Sequence, residues 1–194
     1  MEYLTIAIIA LISLISLWIV VKIIRWFLKY YNSFIVWKQS IKLHWSNILA
    51  EYQRRADLFY NLTQAVKAYF EFENKSLTSI ISARGGNLGA TKQEQVENIK
   101  EIDGSIASLL PRLLALKEQY PNLKSIEQFN TLSEELRATE NRIISKRTDY
   151  NNVVISYNIM VKQFPSMIAA KIFGFKEEEY YSSEEKTERN IKLD

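Results

Sequence analysis

The sequence predicts an all-α protein in which one N-terminal transmembrane helix continues into a long antiparallel, coiled-coil-like helical bundle. Leu4 to Val21 is an 18-residue run without a charged side chain, close to the length that crosses a bilayer. The 194 residues include only five glycines and three prolines, so turn signals are too rare for a strand-rich fold. After the run, apolar residues recur at intervals of three and four, as on the buried stripe of a helix.

The predicted anchor comprises residues 4–28 and follows a short external N-terminus, residues 1–3. A cleaved signal peptide would have basic residues before the run and a small-residue cleavage site after it. Glu2 is the only charged side chain before the run, and Lys-Ile-Ile-Arg-Trp follows it, so we expect an uncleaved anchor. Basic and aromatic side chains just after the run predict a membrane interface, formed by Lys22, Arg25, Trp26, Lys29, Tyr30 and Tyr31.

The orientation follows from the charges beside the anchor. Five basic residues and no acidic residue occur between the run and Glu51. The positive-inside rule therefore predicts a single-pass protein of the cell membrane, with its N-terminus outside and its bundle in the cytoplasm.

Residues 29–175 are predicted to form the cytoplasmic bundle. No proline or glycine interrupts the chain between the anchor and the stretch ARGGNLGA, and two capping boxes, TKQE and SIEQ, mark later helix starts. These signals place four helices, at about 29–83, 91–120, 125–164 and 166–173.

The C-terminal part of the chain divides into two predicted segments. The short apolar helix SMIAAKIF either docks on the bundle or inserts into a membrane or a partner. Residues 176–194 are rich in acidic side chains and have few aliphatic ones, which predicts a disordered acidic tail.

Arg55 interrupts the apolar stripe of the first bundle helix. If the first three bundle helices run up, down and up, the rise of ~1.5 Å per residue places Arg55 level with residues near 127. The same count predicts oppositely charged pairs that set the register: Arg55 with Glu127 or Glu118, and Glu73 with Arg147 or, less well, Glu140 with a neighbouring arginine. The alternative is that Arg55 extends to the bundle surface.

The same layout leaves residues 22–50 without cover from their own chain. An exposed apolar stripe of large side chains usually marks an interface, and anchors in one membrane would bring copies of it together in parallel. We therefore expect an oligomer interface there, with lipid headgroups as the alternative cover. The stripe consists of Phe34, Trp37, Ile41, Trp45 and Ile48.

The strings RRADL, YPNLK, TENRI, DYN, FPS and FGF occur in this order along the chain. Together with the single anchor, they resemble the LemA family over residues from roughly 30 to 180. The resemblance implies a membrane-anchored, coiled-coil-like helical bundle without an established enzymatic activity. RGGNLG stands where the family resemblance would lead us to expect an alanine-rich stretch.

The composition argues against an enzyme. His44 is the only histidine and there is no cysteine, so we expect no catalytic site, no metal site and no cofactor. The net charge of +3 is too small to predict nucleic-acid binding without a basic patch.

The predicted function is a non-enzymatic scaffold that self-associates and organises or remodels the membrane or its proteins. The predicted partners are the lipid bilayer, further copies of the chain and a membrane protein. The alternative is an adaptor that presents a membrane protease or a signalling partner through the cytoplasmic bundle and the acidic tail.

Overall fold

The computed structural model describes residues 1–66, 81, 89, 91–119 and 127–182; at 116–119 and 127–128 it describes the backbone alone. These residues form four helices and no strand, so the predicted all-α class is confirmed. The predicted end of the first bundle helix, at 83, and Glu73 lie outside the described residues. The helices are α1 (Glu2–Val66), α2 (Lys92–Gln119), α3 (Glu127–Lys162) and α4 (Ser166–Phe173).

Local sequence signals explain where two of the helices begin or end. At the start of α2, the Thr91 hydroxyl accepts a hydrogen bond from the Glu94 backbone N–H, and the Glu94 carboxylate accepts one from the Thr91 backbone N–H, both at 3.2 Å. This is the predicted capping box. At the end of α4, Gly174 takes a left-handed conformation (φ 73°), which turns Phe175 back so that its N–H bonds the Ala170 carbonyl.

The chain forms two compact units, and α1 contributes to both. We call residues Met1–Leu43 with Tyr150–Asp194 the terminal unit, and His44–Asp149 the central unit. The central unit has an apolar core supplied by α1, α2 and α3: Ala56, Leu58, Phe59, Leu62, Val66, Ile102, Ile106, Leu109, Leu113, Phe129 and Leu136.

Within the central unit, α2 runs parallel to α1. Trp45 on α1 contacts Gln95 on α2, and Tyr52, seven residues further along α1, contacts Asp103, eight residues further along α2. The third helix, α3, runs antiparallel to α1, since Glu51 pairs with Arg142 whereas the later Arg54 pairs with the earlier Glu135.

The predicted up, down and up order is therefore wrong for both α2 and α3. Relative to α1, α2 runs in the same direction and α3 in the opposite direction. The sequence-based count assumed that α2 turns back along α1, and the spacing of apolar residues within one helix does not determine the direction of the next helix. The start of α2 consequently lies beside Trp45 rather than level with residues near 79. The pairings that were predicted from that count for Arg55 change for the same reason.

Candidate functional site

The N-terminal part of α1 is an uncovered apolar rod. Among the described residues, α1 is the one helix long and apolar enough to cross a membrane. Every large apolar side chain from Leu4 to Val21 is at least 40% exposed. Burying such a surface requires an apolar environment outside the chain, which a bilayer provides.

The predicted membrane-interface residues lie directly after this rod, on the same helix. Lys22 Nζ lies 5.1 Å from the centroid of the Trp18 ring, and Trp26 packs against Tyr30 at 4.6 Å between ring centroids. Lys22, Arg25 and Lys29 are exposed. Tyr31 has additional contacts that the sequence did not predict, because its ring packs against Phe173 and Phe175.

An aromatic cluster in the terminal unit joins α1 to the C-terminal segment. Phe34 is fully buried, stacks on Phe175 at 4.6 Å between ring centroids, and meets the edge of Tyr157 at 6.1 Å. Lys38 Nζ lies 5.9 Å from the Phe175 ring centroid and 3.7 Å from the Glu178 carboxylate. Burial raises the pKa of Tyr157 to about 12, so this phenol stays protonated at neutral pH.

The structure therefore corrects the basis of the predicted oligomer interface. Phe34, Ile41, Trp45 and Ile48 are buried within the chain, and Trp37 is partly buried. In the central unit, α2 begins beside Trp45: the Trp45 indole N–H donates to Gln95 Oε1 at 2.6 Å, and Lys92 Nζ lies 5.4 Å from the ring centroid. The stripe has intramolecular cover because α2 runs parallel to α1 and because the C-terminal segment returns to Phe34.

The beginning of the predicted disordered tail is an ordered segment along α3. The Asn158 side-chain amide donates to the Glu178 carbonyl and accepts from the Glu178 N–H, each at 2.9 Å. Seven residues earlier, Asn151 makes the same pair of bonds with Tyr181, at 3.2 and 2.8 Å. We call these two residues the asparagine clamp. The prediction of disorder is wrong for residues 176–182, and residues 183–194 lie outside the described part.

A cluster of charged side chains in the central unit connects α1, α2 and α3. We call it the charged cluster, and Asp103 lies at its centre. Asp103 accepts hydrogen bonds from the Tyr52 hydroxyl at 2.9 Å, from Arg55 Nη1 at 3.0 Å and from Arg147 Nη2 at 3.3 Å. Arg55 also pairs with Glu140 at 2.6 Å, and Arg147 contacts the Tyr52 hydroxyl.

The pKa of Asp103 depends on burial as well as on the two arginines. The Arg55 side chain is 11% exposed, and desolvation raises the pKa of Asp103 above its ordinary value of 3.8 even though Arg55, Tyr52 and Arg147 each act to lower it. Desolvation, together with a smaller effect of the nearby Glu140 carboxylate, therefore outweighs the effect of these three partners on the pKa of Asp103.

The structure replaces the predicted partners of Arg55. The prediction named Glu127 or Glu118, whereas the structure pairs Arg55 with Asp103 and Glu140. Glu127 lies 13 residues before Glu140 on α3, about 20 Å along the helix axis by its rise per residue. Arg147, which was predicted to pair with Glu73, contacts Asp103. The side chains of Glu127 and Glu118, and the whole of Glu73, lie outside the described part.

Two features of the site were not found from the sequence. Asp103 is the first of these features, and the sequence does contain a signal for it. It directly follows Ile102 on an apolar stripe, and a carboxylate at such a position indicates a buried ion pair. The asparagine clamp has a weaker signal, two asparagines seven residues apart on the buried side of α3. No group of three His, Cys, Asp or Glu residues among the described side chains is placed to hold a metal ion.

Comparison with known proteins places this architecture among relatives. The model of the LemA family matches residues 44–194. Magnetosome protein MamQ 2 of Paramagnetospirillum magneticum is 28% identical over 193 residues, covering 88% of this chain and 71% of the relative. Magnetosome protein MamQ of Magnetospirillum gryphiswaldense is also 28% identical, covering 88% and 70%. Protein LemA of Metamycoplasma hominis is 29% identical over 121 residues, covering 61% and 53%.

Proposed function

Since this chain belongs to the LemA family, we propose that it is a non-enzymatic, single-pass scaffold that self-associates and organises or remodels a membrane or its proteins. The observation that carries the proposal is α1 itself. One unbroken helix, Glu2–Val66, begins as an uncovered apolar rod and ends as a packed element of a folded unit. The MamQ relatives are named for a structure, the magnetosome, and not for a reaction, which also favours a scaffold.

The proposed orientation places the N-terminus outside, and it places the central unit and the part of the terminal unit that follows the rod in the cytoplasm. It rests on the basic residues that follow the rod, among them Lys22, Arg25 and Lys29. Because the chain has no cysteine, single-cysteine variants test it directly. Ser182→Cys should resist a membrane-impermeant thiol reagent in intact cells and react after lysis, while the matched Glu2→Cys should react in intact cells. The reverse pattern would overturn the orientation.

We propose that copies associate through the exposed side of α1, opposite the buried stripe. Leu28, Ile35, Val36 and Leu43 follow one another along this side and are all exposed, Val36 at 67%. They continue the apolar face of the rod, so parallel anchors would bring the same face of a second copy to the same height above the membrane.

The size of the detergent-purified full-length protein tests self-association. We expect an oligomer by light scattering, and Val36→Glu with Leu43→Glu should reduce it to a monomer with unchanged helix content. The matched Asn152→Glu variant adds a charge at an exposed position of α3 and should retain the wild-type size. A monodisperse wild-type monomer would contradict self-association and favour the adaptor alternative.

A further inference from the structure

The apolar side chains of α4 are distributed opposite to the usual pattern. Its face toward the protein consists of small residues, Ser166, Ala169 and Ala170, which are all buried. Its larger aliphatic side chains face outward, with Ile168 40% exposed and Ile172 62% exposed. A short helix at a water-facing surface normally buries its isoleucines and exposes its small and polar residues.

Further exposed apolar side chains flank this outward face. Phe164, in the turn before α4, is 70% exposed, and Phe173 at its end is 40% exposed. Lys171 is exposed between the two isoleucines and is the only charged residue of the helix. The arrangement is that of an interfacial helix, with an apolar surface and a cation at its edge.

Contacts within the terminal unit fix the height of α4 relative to the rod. The Phe173 ring lies 6.2 Å from the ring of Phe27 and 5.0 Å from the ring of Tyr31. Phe27 is six residues beyond Val21, which is about 9 Å along the helix axis. The polar layer on each side of the hydrocarbon core is roughly 5–8 Å thick, so α4 is held at the height where that layer ends.

From this position we infer that α4 is a second membrane-contact element, whose Ile168 and Ile172 face lies against the headgroup layer of the leaflet beside Lys22. The inference rests on the proposed function in one respect: residues 4–28 must span the bilayer. The bilayer is the favoured occupant because Phe173 attaches α4 to Phe27 and Tyr31, and Phe27 is only about 9 Å along the helix axis from the membrane end of the rod. Lys171, together with Lys22, Arg25 and Lys29, makes a leaflet rich in anionic lipid the best match.

The test uses full-length, single-cysteine variants carrying an environment-sensitive fluorophore. They are reconstituted into vesicles of phosphatidylcholine and phosphatidylglycerol, with or without a nitroxide-labelled lipid. A label at Ile172→Cys should emit at shorter wavelength than in water and lose emission when the nitroxide lipid is present. The matched label at Ile155→Cys, at an exposed isoleucine on α3 in the same unit, should be hardly quenched. Ile155 is two residues from Tyr157, and Tyr157 contacts Phe34. Because Phe34 is seven residues further along α1 than Phe27, Ile155 lies further from the membrane than α4.

A third label separates this inference from the proposal on which it rests. Leu11→Cys lies in the middle of the rod and should be strongly quenched if the rod spans the bilayer. Quenching at Leu11 without quenching at Ile172 would overturn the role of α4 and leave the anchor intact. The emission of the Ile172 label could instead shift when the protein is diluted and show no quenching by the nitroxide lipid. That result would assign the Ile168 and Ile172 face to contact with a second copy, and it would also overturn the membrane role of α4. No quenching at Leu11 would overturn both.

Discussion

Arg55 illustrates how a buried charge is accommodated at the scale of single residues. Its guanidinium is 11% exposed and lies against two carboxylates, those of Asp103 and Glu140. Ion pairs of this kind contribute little net stability, because desolvation offsets the attraction, but removing one partner leaves the other stranded. The charged cluster therefore stabilises one alignment of α1, α2 and α3 more than it stabilises the fold as a whole.

Removing Arg55 should show how much its carboxylate partners depend on it. Arg55→Leu should lower the free energy of unfolding by about 2–3 kcal/mol, less than for a fully buried pair because the two carboxylates keep some contact with water. Arg55→Leu combined with Asp103→Asn should recover part of the loss, since no carboxylate is then stranded at the centre of the cluster. Denaturant unfolding followed by helical circular dichroism measures both.

The neighbouring arginine provides the control for this cycle. Arg54 pairs with Glu135 at 3.5 Å, and both side chains are about half exposed. Arg54→Leu should therefore change the free energy of unfolding by less than about 1 kcal/mol. Strictly additive losses for Arg55 and Asp103 would show that the two residues are not energetically coupled.

The raised pKa of Asp103 predicts a pH dependence with a definite sign. Because the folded state binds this proton more tightly than the unfolded state, protonated Asp103 contributes stability that is fully present below 3.8 and is lost as the pH rises through the raised pKa. The free energy of unfolding of the wild type minus that of Asp103→Asn should therefore increase as the pH falls from neutral toward 3.8. Urea unfolding at a series of pH values measures the difference.

A substitution without a titratable group controls for general effects on α2. Ser108→Ala, at an exposed position of the same helix, should differ from the wild type by an amount that does not vary with pH. A decrease in the Asp103 difference toward low pH would mean that the arginines, not burial, determine the protonation of Asp103.

At this scale the sequence shows that Arg55 requires an acidic partner, but it does not show which residue supplies it. A guanidinium on the apolar stripe at Arg55 requires an acidic partner, and the structure supplies Asp103 and Glu140. Which carboxylate meets it depends on how the helices align, and that alignment depends on the relative directions of α1, α2 and α3. Periodicity within one helix carries no information about those directions.

At the scale of elements, α3 acts as a template for an extended segment. Asn151 and Asn158 are seven residues apart, about 10.5 Å along a helix. Glu178 and Tyr181, which they bind, are three residues apart, about 10 Å along an extended chain. The match of these two spacings lets two side-chain amides satisfy the N–H and C=O groups of both residues, as a neighbouring strand would.

Removing one half of the asparagine clamp should release the segment. Asn158 is buried, and Asn158→Ala leaves the Glu178 N–H and C=O without these partners. Its loss of about 1.4 kcal/mol should make the Glu178 amide exchange with solvent roughly tenfold faster. Hydrogen exchange resolved by mass spectrometry over residues 176–182 measures this.

The matched control is Asn152→Ala, at an exposed position one residue after Asn151. It should leave the exchange rates across residues 176–182 at their wild-type values. Equal exchange in the Asn158→Ala variant and the wild type would show that the clamp does not hold the segment and that the aromatic contacts of Phe175 suffice.

The elements themselves were predictable to different degrees for a physical reason. The start of α2 and the end of α4 follow from short-range chemistry, a capping box and a glycine that can both be read from the sequence. The ordered segment 176–182 was missed because its own composition cannot bury enough apolar surface. Its order comes from α3, a partner distant in sequence.

At the scale of the whole molecule, the direction of each helix decides which surfaces remain available. Because α3 runs antiparallel to α1, its end delivers α4 and Phe175 to the part of α1 that follows the rod. Because α2 runs parallel to α1, its start covers Trp45. Together these directions bury the apolar stripe predicted to join subunits and leave the opposite side of α1 exposed.

The parallel order of α1 and α2 is testable by cross-linking in the full-length protein. Trp45 and Gln95 are in direct contact through their side chains, and the natural chain has no cysteine. Trp45→Cys with Gln95→Cys should therefore be joined by a short bis-maleimide, giving a product with altered gel mobility. In the up, down and up order, residue 95 would lie level with residues near 79, tens of ångströms from Trp45 by the rise of ~1.5 Å per residue.

The control pair is Trp45→Cys with Ser108→Cys. Ser108 is exposed on the same helix as Gln95, 13 residues and about 20 Å further along, so the reagent should not join it to position 45. Efficient joining of the control pair, with none between positions 45 and 95, would mean that α2 starts at the opposite end of the central unit, and it would withdraw both the cover over Trp45 and the pairing of Arg55 with Asp103.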